Sequence, residues 1–161
     1  MRVFVAPQPA WGASAAIGAF SGHDDAASDF FLELSYLATA PERVQGATAT
    51  FRFAVARPGV CPVSARFGSL RVAPCIAAEL GAVTARGEDI PLATASTRFF
   101  GAAELFVRAD LTLSRVFFLS VDAGVNAPFT RYEFLFQDPD TEIHRIPPLT
   151  ASGGIRVGVR L

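Results

Sequence analysis

Few side chains in this sequence are of types that do chemistry, and their spacing sorts them quickly. His144 has Glu142 two residues away, on the same side of an extended segment, and Ser152 lies farther along. A hydrolytic site needs a serine within reach of an imidazole that an acid orients, and no short His-Ser motif supplies one. The other histidine, His23, stands in a turn-like run with Asp24 and Asp25. Both read as loop histidines in water, and the chain reads as a protein that is not an enzyme. Asp24 and Asp25 with Asp29, or Asp138 with Asp140 and Glu142, present oxygen ligands for a weak Ca2+ site; the plainer reading is solvated turn acids. Cys61, Cys75 and the two distant histidines lack metal-ligand spacing. No glycine-rich phosphate loop follows a strand and opens a helix. No cofactor and no metal is expected.

Cys61 and Cys75 do have a geometric relation to each other. Six residues separate each of them from Gly68, so a hairpin turning at Arg66-Phe67-Gly68-Ser69 sets them opposite one another, where a cross-strand disulfide fits. Two unrelated buried thiols are the alternative. A bridge of this kind belongs to an oxidising compartment.

The remaining chemistry is a set of scattered charges: Glu33, Arg52, Glu79, Glu104, Arg108, Asp110, Asp122, Arg156 and Arg160. Their meaning depends on the elements that carry them, and periodicity identifies those elements. From Arg98 to Leu113 the odd positions include Phe99, Leu105, Val107, Leu111 and Leu113, while the even ones include Arg98, Glu104, Arg108 and Asp110. That is period two, the signature of a β-strand with two unlike faces. Phe117 to Ala127 and Ala151 to Leu161 repeat it, and Trp11 to Phe20 and Phe30 to Leu37 do so less purely. Thr48 to Cys61 and Leu70 to Arg86 form a middle pair, with Phe51, Phe53 and Val55 along one face. A short strand at Arg2 to Ala6 brings the number to eight, separated by turn compositions such as Pro7-Gln8-Pro9 and Asp138-Pro139-Asp140. If the cysteine register continued up the middle hairpin, Phe53 would share the face of Glu79, so a bulge is expected at Pro58-Gly59. Pro74 is expected to be a second fault in the ladder. No repeat, linker or domain boundary interrupts the pattern, which predicts one domain over 1–161.

Composition decides which face meets what. Half of the residues, 51%, are apolar and 18% are charged, and every one of the 14 basic residues is Arg. Soluble domains carry about 25% charged residues. A net charge of −1 without any basic run excludes nucleic-acid binding. No apolar block approaches the ~20 residues of a spanning helix. Met1 to Pro7 is too short and too soon broken by Pro to serve as the apolar core of an export signal, which leads us to expect a mature or shortened form, or a cytoplasmic chain. The polar faces hold small residues and charges of opposite sign, a composition suited to a narrow interior filled by a polar plug. The apolar faces then point outward into lipid, and closure removes the strand edges that lipid does not tolerate. The expected fold is all-β, a closed antiparallel up-and-down transmembrane barrel of about eight strands. Trp11, Tyr36, Phe99, Phe129 and Tyr132 are candidates for its interfacial aromatic girdle. The competing reading is a soluble lipocalin-like barrel or sandwich with an apolar ligand inside.

The terminal segment Gly154-Ile155-Arg156-Val157-Gly158-Val159-Arg160-Leu161, with Ile155, Val157, Val159 and Leu161 alternating, resembles the signal by which bacterial outer-membrane β-barrels are recognised for assembly. The family typically ends in Phe, where this chain has Leu161. By pattern the whole chain is similar to small eight-stranded barrels of the OmpA/OmpX type, and the many Arg and Ala with no Lys look like a protein of a high-G+C bacterium. The resemblance implies a location in the bacterial outer membrane with both termini in the periplasm. It implies outer-membrane lipid and the barrel-assembly machinery as partners, and the outward segments, above all Phe129 to Arg145, as a surface for an extracellular partner. Within that family the rival function is a lipid-modifying barrel enzyme.

Overall fold

The computed structural model describes residues 2–3, 9–21, 28–44, 47–88, 95–130, 133–137, 140–145 and 147–160. They form strands β1 (Arg2–Val3), β2 (Ala10–Ser21), β3 (Ser28–Thr39), β4 (Glu42–Val44), β5 (Ala47–Cys61), β6 (Ala65–Phe67), β7 (Leu70–Glu88), β8 (Ala95–Thr112), β9 (Phe117–Pro128), β10 (Glu133–Gln137), β11 (Asp140–Arg145) and β12 (Thr150–Val159). No helix occurs among the described residues. The long strands are those the period-two pattern predicts, because β-branched, aromatic and small residues alternate there without the helical spacing that would bury one stripe.

Each long strand pairs antiparallel with the next: β2 with β3, β3 with β5, β5 with β7, β7 with β8, β8 with β9, and β9 with β12. β1 pairs antiparallel with β12 on one side and with β2 on the other, Arg2 standing opposite both Ser152 and Ala10. The result is an up-and-down antiparallel sheet of eight strands, the first of them a stub. Beyond Arg2 and Val3 no described residue joins β2 to β12, and the curled sheet is open along that seam. β10 and β11 pair with each other as a separate two-stranded sheet, the pairing that the turn composition Asp138-Pro139-Asp140 predicts from sequence.

Two expected faults in the ladder do not occur. The β5–β7 ladder lacks pairs at Arg57 and Pro58, but its register is the same on both sides of them, from Thr48↔Glu88 through Phe53↔Val83 to Gly59↔Ala77 and Val60↔Ile76, so no bulge forms at Pro58-Gly59. Pro74 stays in register with Val107 of β8, and the ladder to β5 has already ended at Ile76. The irregularity sits at the hairpin tip instead. There Pro62-Val63-Ser64 leave the sheet, Phe67 pairs with Leu70, and Gly68 takes a φ of 62° that a side chain would strain. Cys61 and Cys75 form the disulfide, fully buried on the inner face.

The unbroken register fixes which residues face inward, and they stack in layers. Nearest the end where β2 begins, Leu37, Phe51, Phe53, Val55, Val83 and Phe100 form an apolar cluster, with the Phe53 and Phe100 rings edge to face. A charged layer follows. Beyond it lie Phe31, Phe106, Ala73 and the disulfide, and then Asp29, Arg71 and Asp110. The expected plug is therefore packed, but half of its filling is aromatic and aliphatic rather than polar. Phe51, Phe53 and Val55, placed by the expected bulge on the outward face, are buried inside.

Candidate functional site

The charged layer forms because cross-strand register brings acids and arginines to one level. Glu33 of β3 stands opposite Arg57 of β5, and Arg108 of β8 opposite Asp122 of β9. Arg57, 4% exposed, donates from Nη2 to Glu33 Oε2 at 2.5 Å and from Nη1 across the inner space to Glu104 Oε2 at 2.8 Å, with Asp122 Oδ1 at 4.0 Å. Arg156 of β12 donates to Asp122 on the neighbouring strand and to Glu33 on the far side of the seam. Ser152 gives its hydroxyl proton to Glu104 Oε1 at 2.6 Å. Charge-assisted bonds of this kind are about twice as strong as neutral ones, and burial shields them from water.

Below this layer two guanidinium groups share one pair of rings. Phe31 and Phe106 meet edge to face at 5.8 Å, with Arg108 4.2 Å from the Phe31 centroid and Arg57 4.8 Å from that of Phe106. Cations over aromatic faces are held by the ring quadrupole. At the next level Arg71 donates to Asp29 at 2.5 Å and lies 3.9 Å from Asp110.

Of the nine charges singled out by parity, Glu33, Glu79, Glu104, Asp110 and Asp122 are buried on the inner face, and Arg108 and Arg156 are half-buried beside them. Arg160, also half-buried, lies at the strand end with its guanidinium 5.5 Å from the Phe118 centroid and outside the layer. Arg52 does not join them: it is exposed on the opposite face, because without a bulge odd positions point inward along β5. Its expected place is taken by Arg57. Carrying the Cys61–Cys75 register upward without interruption would have found Arg57, and Arg71 with it.

Ile155, Val157 and Val159 point outward and are well exposed. Leu161, the His23-Asp24-Asp25 turn, Tyr132 and the Asp138-Pro139 turn lie outside the described residues, as do the side chains of Glu142 and His144. Ser152, the serine weighed for a hydrolytic site, is engaged by Glu104, and Asp29, weighed for Ca2+, is engaged by Arg71. Glu33, Glu104 and Asp122 are each matched with an arginine, a brace between walls rather than a nucleophile with its base.

A cleft of about 370 Å³ opens at this level along the seam. Gly12, Ser14, Gly154 and Arg156 line it from inward positions, and Ala13 and Ile155 from outward ones, so it passes through the wall. No protein-family model, no curated protein and no solved structure matches this chain.

Proposed function

We propose that this protein is a small bacterial outer-membrane β-barrel of the OmpA/OmpX kind, closed and transmembrane, structural or interaction-type rather than catalytic. The observation that carries the reading is the segregation of charge between the two faces. On β2, β3, β8, β9 and β12 no outward position is charged, and on β5 and β7 the charges at outward register positions are Arg52, Arg86 and the strand-end Glu88, all toward the end where β2 begins. Ile17, Leu34, Leu105, Val121 and Ile155 are exposed on that outer face. Water gives no reason for such a wall and a hydrocarbon layer does.

Dimensions agree. The outward residues of β9 from Phe117 to Ala127 cover about 33 Å of strand, or about 25 Å across a membrane at a tilt near 40°, the height of a barrel's apolar band. Trp11, Tyr36, Phe99 and Phe129 are exposed toward the end where Arg52 lies, as an interfacial girdle requires. A soluble barrel with an apolar ligand needs the opposite arrangement, charge outside and none in the middle. The separate β10–β11 hairpin is the surface offered to an extracellular partner, and β12 with Ile155, Val157 and Val159 is the face offered to the assembly machinery.

Fractionation tests the reading. Exported to the periplasm, the protein should sediment with outer membranes, resist carbonate washing and come out in detergent. A monomer that stays soluble without detergent overturns the proposal.

A further inference from the structure

The seam has a property that the rest of the sheet lacks. Since β1 is antiparallel to both β2 and β12, those two strands run parallel to each other, and an up-and-down antiparallel sheet cannot close by joining them directly. Exactly one strand's width, about 10 Å between their axes, has to be filled by a strand antiparallel to both. Arg2 and Val3 fill the end of that slot beside Thr150. From Gly154 to Val159 on one side and from Gly12 onward on the other, no described residue pairs with the edge that faces the slot. The inward residues of β2 in this stretch, Gly12, Ser14, Ala16 and Gly18, are exposed, whereas the inward residues of β3 and β9 are buried or half-buried.

We propose that the slot takes one further antiparallel strand of roughly seven residues, formed by this protein's own polypeptide running into Arg2 from its N-terminal side. Direction argues for that occupant. A strand with the polarity of β1 travels down the slot and reaches Arg2 with no turn, whereas a separate peptide would have to stop end to end against it.

The register specifies the strand's chemistry. The residue directly ahead of Met1 would face Gly12 and Gly154, and the one before it would face Ala13 and Ile155, since Arg2 faces Ala10 and Ser152. Positions beside Ile155, Val157 and Val159 look outward and take apolar side chains. Positions beside Gly154, Arg156 and Gly158 look inward, where neighbouring glycines leave room for small or polar ones. This preference for outward apolar residues rests on the membrane reading, while the slot itself rests on strand direction alone.

The test adds about seven residues ahead of Met1, alternating Val and Ser in the phase just given, and a control extension shifted by one residue. Both are folded in detergent micelles beside the 161-residue chain. The in-phase extension should slow amide exchange at least tenfold along Gly154–Val159 and raise the denaturant midpoint, and the shifted one should do neither. With Ile155→Cys and a cysteine two places before Met1, oxidation should give a cross-link within one chain. Unchanged exchange for both extensions overturns the slot, whatever the membrane result. Equal protection by both phases leaves no place for the outward-apolar register and overturns the strand as specified. A cross-link solely between two chains assigns the slot to a second copy and overturns the proposed occupant.

Discussion

Arg57 touches more of the inner face than any other side chain named above: two carboxylates, a third at 4.0 Å, and two rings. Removing one member of a buried ion network leaves its partners charged and without compensation, which costs about 3–5 kcal/mol. Arg57→Met should therefore lower the urea midpoint in micelles by that equivalent. Adding Glu33→Gln and Glu104→Gln should recover most of the loss, since the uncompensated charge is then gone. A triple variant weaker than the single one would mean that Arg57 acts through packing. Asn126 makes the opposite case. It is fully buried, and neither its Oδ1 nor its Nδ2 has a hydrogen-bond partner among the described residues. Buried polar atoms left unmatched cost about 1–3 kcal/mol each, so Asn126→Val should raise the midpoint. Arg57 was hidden in the sequence by Pro58 and Gly59, which look like a fault that reverses parity. The backbone carries both residues in register, and only the cysteine pairing discloses that.

At the level of the strands, period two made nearly every long element legible, because a face that is apolar at each second residue cannot be read as a helix. The sense of the faces on β5 was not legible. Phe51, Phe53 and Val55 are as apolar as any lipid-facing run, and their burial inside follows from pairing with β7, not from their own composition. Parity can be tested by one substitution on each face. Val121→Arg, outward near the middle of β9, should cost about 2–4 kcal/mol of membrane stability and reduce the heat-modifiable folded fraction on gels. Ala16→Arg, inward and beside the open cleft opposite Glu33, should fold nearly as well as the parent. The reverse order would turn the sheet inside out. The β5–β7 hairpin carries a covalent tie closing a loop of 14 residues' separation. Loss of such a tie costs about 3 kcal/mol in the chain-entropy account. Cys61→Ser with Cys75→Ser should lower the midpoint accordingly, and adding reductant should not lower it further.

For the molecule as a whole, the stacked layers on the inner face predict a closed interior. In a planar bilayer the protein should pass no stepwise current, because Phe51, Phe53 and Phe100 fill one level and the arginine–carboxylate layer fills the next. Stepwise current from the unaltered protein would contradict the packed interior. Arg156 also ties β12 to Glu33 of β3 across the seam, so the two sides of the gap are held in place from within before any ladder joins them. Arg156→Met should widen the spread of spin-label distances between β3 and β12 while leaving the β5–β7 distance unchanged.

The disulfide places a condition on the order of events during biogenesis. Both sulfur-bearing residues are wholly enclosed on the concave side, close to Phe31 and Phe106, where no oxidising enzyme can reach them once the sheet has curled. The bond must then be made on a chain that is still flat or unpaired, while the hairpin tip is accessible. Oxidation would act as an early checkpoint, committing the β5–β7 register before curling, and a chain that curls while still reduced would carry two thiols sealed beyond repair.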